Sequence, residues 1–409
     1  MKFSTRSLLS AMMFLEFFIW GSWYVTMSTY LDHALHATGL QIGAAYSAMS
    51  VATILSPLFI GMIADRFFSA EKLLGLLHLV GACLLWLILG VKNPDHFYWV
   101  VLLYSLVYAP TLALANAVAF RQMENPGKEF PGVRVFGTIG WIVTGILIDK
   151  VFHIAPADLA FTFKMAAAAS VVLGVFSFLL PRTPPLASTE PVTIGKLLGK
   201  DALVLLKERS YLVFFIASIL ICIPLSFYYS LTNDFLVGAG MKNATANMTL
   251  GQFSEALFIL AIPFLIRKIG VKNMILMGMA AWMLRFLCFG FGNAQAGLWM
   301  FFAGIILHGA CFDFFFVTGQ IYTDFKAGLK IQSSAQGLIT LATYGIGMWI
   351  GTLLSGYVAQ YFSTGPDQHN WVAIWMVPAA ISAAVFLFFI LMFREKVHSV
   401  VTPVPAMGV

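Results

Sequence analysis

Apolar residues run along almost the whole chain in long blocks, parted by short polar turns. A helix needs about 20 mostly apolar residues to cross the hydrocarbon of a bilayer. Twelve such blocks can be drawn, at roughly 8–31, 40–64, 72–92, 97–121, 133–152, 158–181, 211–236, 249–269, 272–292, 297–323, 334–361 and 370–393. Inside each block the apolar positions are continuous rather than alternating. That predicts helices, not the strands of a barrel. The expected fold class is an all-α membrane protein with twelve transmembrane helices.

The longest interruption is 182–210. It opens on Arg182-Thr183-Pro184-Pro185 and continues as a polar, weakly amphipathic stretch from Ile194 to Glu208, which predicts a cytoplasmic linker with a short helix. On that reading residues 1–181 form an N-terminal six-helix bundle, 211–393 a C-terminal six-helix bundle and 394–409 a cytoplasmic tail. A faint internal repeat agrees. Gly140-Trp141-Ile142-Val143-Thr144-Gly145 in span five and Gly347-Met348-Trp349-Ile350-Gly351-Thr352 in span eleven hold equivalent positions in the two halves. Two parallel six-helix repeats, with the site near the midplane, are the layout of many secondary transporters.

Composition narrows this further. The chain is 60% hydrophobic and 10% charged, against about 25% charged in soluble domains. The deficit is spread along its length, which leaves no room for a sizeable soluble domain. The net charge of +6 is no nucleic-acid signal, because the basic residues lie in short turns between spans. With an inside N-terminus, eighteen Lys and Arg fall in inside segments, and only Lys92, Lys150, Lys164 and Lys242 lie toward the outside. That asymmetry predicts that both termini are cytoplasmic. The first block carries on past Trp23 without a small-residue cleavage site, so it is expected to be a retained helix rather than a signal peptide. The cysteines (Cys83, Cys222, Cys288, Cys311) stand singly inside spans and suggest neither disulfides nor a metal site.

Against this background four charged residues stand out inside apolar spans: Glu16, Arg134, Glu255 and Asp313. A charge at the bilayer centre costs roughly 2.5–3.5 kcal/mol on insertion scales, so such residues usually face a polar cavity or one another and mark a substrate or proton path. Arg134, Thr138 and Trp141 share one helical face by their spacing. Arg134 is either a donor fork for a hydroxyl-rich ligand or an arginine snorkelling to the interface. Gln252 and Glu255 share a face of span eight, where Glu255 is a proton carrier, a hydroxyl acceptor or a structural hydrogen-bonding group. Asp313 sits in Phe312-Asp313-Phe314-Phe315-Phe316, an aromatic setting suited to stacking on a planar ring, with His308 five residues earlier. Arg285 is the obvious ion-pair partner for Asp313 or Glu255. Glu16 lies on one face with Trp20 and Trp23, and Ser226 with Tyr229 on span seven. At the cytoplasmic end of span two, Gly61-Met62-Ile63-Ala64-Asp65-Arg66 resembles the Gly-x-x-x-Asp-Arg loop of the major facilitator superfamily, in which Asp65 and Arg66 would serve as a gating latch.

More specific strings extend the likeness almost end to end. They are Phe18-Ile19-Trp20-Gly21-Ser22-Trp23, Arg134-Val135-Phe136-Gly137-Thr138-Ile139-Gly140, Gln252-Phe253-Ser254-Glu255, Phe312-Asp313-Phe314-Phe315 and Ser334-Ala335-Gln336-Gly337. With them the chain resembles the bacterial nucleoside:proton symporters of the major facilitator superfamily. The resemblance implies the major facilitator fold, two six-helix bundles with the nucleoside between them, and a bacterial cytoplasmic membrane location. It also implies binding positions at Arg134, Thr138, Gln252, Glu255, Phe312 and Asp313. Trp141, Ser226, Tyr229 and His308 occupy further family positions with residues other than those expected there. Glu16 stands where the family pattern has an amide, which adds it to Asp313 and Glu255 as a proton-coupling candidate.

The expected function is therefore proton-coupled nucleoside import by alternating access, by a monomer, with nucleoside, protons and membrane lipid as partners. No cofactor, no nucleic acid and no metal are expected, since no nucleotide-binding loop or metal cluster is present and a proton gradient supplies the energy. A sugar or polyol symporter on the same fold is the first alternative. A membrane receptor or embedded enzyme is the second, weakened by the lack of a nucleophile–base pair in the spans.

Overall fold

The computed structural model describes residues 3–184, 200–365 and 368–394; within these, the side chains of 57–67, 126, 127, 329, 330 and 333 stand outside the description. The helices, in chain order, are α1 (Phe3–Trp23), α2 (Met27–Leu35), α3 (Gly39–Phe67), α4 (Ala70–Ile88), α5 (Pro94–Arg121), α6 (Pro126–Glu129), α7 (Pro131–Ile146) and α8 (Ala160–Ser177). They continue as α9 (Arg209–Gly238), α10 (Ala244–Met248), α11 (Leu250–Phe291), α12 (Leu298–Phe312), α13 (Thr318–Thr340), α14 (Met348–Tyr361) and α15 (Trp371–Met392). A two-stranded antiparallel turn, β1 (Ser363–Gly365) and β2 (Gln368–His369), joins the last two helices.

Among the described residues, ten stretches are long and apolar enough to cross a membrane. One of them, Ala244–Phe291, has 48 residues, far more than one crossing needs. The backbone leaves the helix at Gly270 (φ 77°, ψ 165°), a conformation only glycine adopts without strain, and this divides α11 into two crossings. Helix α3, 29 residues long, is a further one. Both halves of α11 together with α3 account for the twelve crossings expected from the hydropathy pattern. Large apolar side chains such as Leu260 (76% exposed) and Leu257 cover the outside of the helices, as lipid requires.

The first span is not one helix. It breaks after Trp23 and resumes at Met27. In a membrane the freed backbone groups need partners, and Tyr46 of α3 supplies them. Its hydroxyl accepts from Ser28 N at 3.2 Å and donates to the Tyr24 carbonyl at 2.7 Å. Three wide-turned π segments continue neighbouring helices, at Leu147–Val151, Asp313–Val317 and Leu341–Gly347.

The described residues gather into two compact units. One takes those within Met1–Leu197, Leu225–Thr249 and Tyr344–Asn370; the other takes those within Leu198–Pro224, Leu250–Thr343 and Trp371–Val409. In the first, α1 packs on α7 and α8, α4 on α5 and α8, and α3 on α5 and α14. Gly140 makes the α1–α7 contact possible, because a Cβ there would collide with the Phe14 carbonyl. An aromatic core of Trp23, Tyr104 and Phe163 fills this unit, with Trp23 5.4 Å from Tyr104 by ring centroid. In the second unit the leading contacts are α11 with α12 and α15. Between Lys200 and Lys207, in the stretch expected to be a linker with a short helix, the chain forms a 3-10 helix.

Candidate functional site

In the first unit, Arg134, Thr138 and Trp141 are half-buried on one side of α7, while Val135, Phe136 and Ile139 on its other side are exposed. The spacing reading of this helix holds. The Arg134 guanidinium lies over the Phe17 ring of α1, 3.9 Å from its centroid. That cation–π contact holds the planar fork in place. Trp141 meets Trp20 edge to face at 5.6 Å, Trp20 meets Tyr24 at 5.7 Å, and Tyr24 meets Tyr229 at 5.8 Å. A continuous aromatic wall thus joins two expected site residues, Trp141 and Tyr229, through two others. Ser226 is wholly buried, and its hydroxyl lies 3.3 Å from the Met348 carbonyl and sulfur.

In the second unit, Gln252 and Glu255 are half-buried on α11. The Gly309 amide of α12 donates to Ser254 Oγ at 3.0 Å. A Cβ on Gly309 would stand 2.5 Å from the Glu255 nitrogen. This close crossing sets the α11 carboxylate beside the α12 residues. His308 and Phe312 are 5.9 Å apart, and Phe312 and Phe316 are 5.2 Å apart.

Asp313 opens a π segment, a form that recurs at functional sites. It is fully buried, and neither carboxylate oxygen has a hydrogen-bond partner. The Glu255 carboxylate lies within electrostatic reach of it. Arg285 gives its Nη1 to His308 Nδ1 at 3.1 Å and packs against Trp282 and Phe289. Since guanidinium only donates, His308 Nδ1 accepts. The two rings, both on its own helix, hold the guanidinium at the level of His308.

Glu16 belongs to the first unit. It is fully buried in the first unit, with His78 Nε2 2.8 Å from one carboxylate oxygen and Thr111 Oγ1 2.6 Å from the other. Neither partner was foreseen, although a lone histidine in span three and a threonine in span four were signals of a kind. Elsewhere in this unit, Thr29 Oγ1 donates to Asn233 Oδ1 at 2.7 Å, Asn233 Nδ2 to Thr245 Oγ1 at 3.0 Å, and the Ala246 amide to Asp149 Oδ2 at 2.8 Å. Donor atoms of Asp32, His33 and Asp234 lie within 4.8 Å of one another, the described group most suited to a metal ion. The four cysteines form no disulfide. Helix α3 runs through Asp65 and Arg66, whose side chains lie outside the described residues.

The geometry has the parts of a polar-ligand transporter: a guanidinium fork, two aromatic surfaces and a buried, unsatisfied carboxylate. Known proteins show the family. The family profile described as "Nucleoside H+ symporter" matches residues 1–398. The putative nucleoside transporter YegT of Escherichia coli is 40% identical over 403 residues, covering 96% of this chain and 94% of that protein. The xanthosine permease of Escherichia coli is 34% identical over 398 residues, covering 93% and 94%. A crystal structure of the nucleoside transporter NupG, 30% identical, superposes with a TM-score of 0.87 over 96% of this chain and all of that one. The fold is therefore that of the major facilitator superfamily, in a multi-pass membrane protein of the bacterial permease kind. The chain belongs to the nucleoside H+ symporter family and is a proton-coupled nucleoside symporter rather than an enzyme.

Proposed function

We propose that Asp313 carries the coupled proton and that the nucleoside is held by Arg134, Thr138, Trp141, Ser226 and Tyr229 of the first unit with Gln252, Glu255, His308, Phe312 and Asp313 of the second. The observation that carries this reading is the Asp313 carboxylate, fully buried and lacking any hydrogen-bond partner. A buried, unpaired carboxylate costs several kcal/mol. That cost is removed by a proton or by donors from a ligand. The group is therefore poised to exchange one for the other.

The remaining roles follow from chemistry. The Arg134 fork and the Gln252 amide donate to ribose or base oxygens. Glu255 accepts from ribose hydroxyls. The base stacks on Trp141 or Phe312, whose rings are already braced by Trp20 and Phe316. The wall ending at Tyr229 adds apolar cover, and His308, held by Arg285, is a fixed polar group on the α12 face. Asp65 and Arg66 are assigned to a cytoplasmic gate on their motif. The excess of Lys and Arg in the alternate turns supports a cytoplasmic-membrane protein with both termini inside. Import by a monomer, driven by an inward proton gradient, is the simplest arrangement in which one chain carries both residue sets.

The test is uptake of radiolabelled nucleosides into proteoliposomes under an imposed proton gradient. Asp313→Asn is expected to abolish accumulation above the outside concentration while leaving expression of the protein intact. Full accumulation by that variant would defeat the assignment. Competition by maltose instead of nucleosides would favour the sugar reading.

A further inference from the structure

Glu16 and His78 form a buried acid–base pair outside the residue sets assigned to the nucleoside. Glu16 is wholly buried on α1, His78 is buried on α4, and His78 Nε2 stands 2.8 Å from Glu16 Oε2. Thr111 of α5 closes the other side. Its hydroxyl oxygen is 2.6 Å from Glu16 Oε1 and also 2.6 Å from the Tyr108 carbonyl. The Tyr108 hydroxyl donates to the Glu16 carbonyl at 2.8 Å.

One detail separates this pair from a static ion pair. A threonine hydroxyl has a single hydrogen to give. When it points at Glu16, the carboxylate accepts and needs no proton. When it points at the Tyr108 carbonyl, the short contact to Glu16 is satisfied only if Glu16 carries a proton and donates it to Thr111. Both protonation states of Glu16 are thus bonded with the same heavy atoms in the same places. A half-turn of one hydroxyl moves between them, while His78 in its Nε2–H tautomer donates to Oε2 in either state. Adding one proton takes the pair from one negative charge to neutrality, with no covalent bond formed or broken besides O–H.

The ionisable groups around the pair come from the helices packed on α1 and α4. Of the helices packed on α1 and α4, α5 presents Tyr104 and Tyr108, stacked at 5.6 Å. Helix α7 offers Arg134, whose guanidinium is engaged over Phe17. The ionisable residue of α8, Lys164, is exposed, as is Lys72 of α4, while Glu71 bonds the Thr183 amide. Phe17 and Trp20, one residue and one turn beyond Glu16, carry the contacts to Arg134 and Trp141. The charge on Glu16 is therefore placed to be felt at the nucleoside face of the first unit.

We infer that Glu16 and His78, with Thr111 as the turning hydroxyl, are a second proton-binding site, which takes up and releases one proton in each cycle in addition to that on Asp313. This rests on the proton-coupled nucleoside transport described above. The experiment is the proton:nucleoside ratio, read from the membrane potential at which net flux of radiolabelled uridine or xanthosine reverses in proteoliposomes. The wild type is expected to move two protons per nucleoside. Glu16→Gln, which keeps the shape and a hydrogen bond to His78, is expected to move one and to retain uptake. A wild-type ratio of one overturns the proposal without recourse to a variant, as does a ratio of two in Glu16→Gln. Should Glu16→Gln not fold, Thr111→Val carries the same expectation, and a ratio of two in it overturns the turning-hydroxyl site. Uptake with no proton dependence in the wild type would instead sink the symport reading itself, a distinct outcome.

Discussion

Gly309→Ala should weaken nucleoside transport without unfolding the protein, and the size of the effect can be worked from the α11–α12 crossing. A Cβ at Gly309 would stand 2.5 Å from the Glu255 nitrogen and from the Ser254 carbonyl carbon, and 2.7 Å from the Ser254 oxygen. All three are backbone atoms, so no side chain can rotate away. Ordinary contact begins near 3.4 Å, which means that α12 must retreat from α11 by about 1 Å. Overpacking of this kind costs about 1–3 kcal/mol. The retreat stretches the 3.0 Å bond from the Gly309 amide to Ser254 Oγ beyond bonding distance, a further loss of about 1 kcal/mol. It also parts Gln252 and Glu255 on one helix from His308 and Phe312 on the other. A ligand gripped by both helices loses about one charged hydrogen bond, about 1.5–3 kcal/mol. That is about tenfold to a hundredfold in apparent affinity. The assay is the KM for nucleoside uptake in proteoliposomes, with the melting temperature of the purified variant measured alongside. A variant with unchanged KM and unchanged melting temperature would refute both the crossing geometry and its role in the site.

Two further outcomes follow from the same reasoning. Arg134→Lys keeps the charge but loses the planar fork and its seat on Phe17, so nucleoside affinity measured by equilibrium binding should fall about tenfold, the equivalent of about 1.4 kcal/mol; an unaltered affinity would return Arg134 to a snorkelling role. Tyr46→Phe strips the partner from the Tyr24 carbonyl and the Ser28 amide at the break between α1 and α2, and the two orphaned groups should lower stability by about 1–3 kcal/mol, visible as a reduced melting temperature in detergent.

The course of the helices was legible because a membrane leaves few choices: an apolar block of sufficient length must be helical. The turn near Gly270 was legible too, from Lys268 and Lys272 flanking it. The face of Arg134, Thr138 and Trp141 could be read because α7 is regular there. What was hidden has a common cause. The break after Trp23 lies in a run with no charge and no proline, and it is tolerated because a tyrosine from another helix serves the freed backbone. The partners of Glu16 come from α4 and α5, distant in sequence. The contact of Arg285 with His308, set by its seat between Trp282 and Phe289, was not legible either. Pairings across helices depend on rotation and depth, which one-dimensional spacing does not contain.

The π segment at Asp313 has a practical consequence for anyone labelling or redesigning this helix. A π turn carries one residue more than an α turn, and each residue of a helix advances by about 100°. An alignment that treats Leu298–Gly328 as a uniform helix will therefore be out of phase after Val317. Positions chosen downstream as lipid-facing would then point elsewhere. The Thr318 hydroxyl, 3.3 Å from the Asp313 carbonyl five residues back, marks where the register changes. Spectroscopic probes on the far half of this span should be placed by counting from Thr318, not from Leu298.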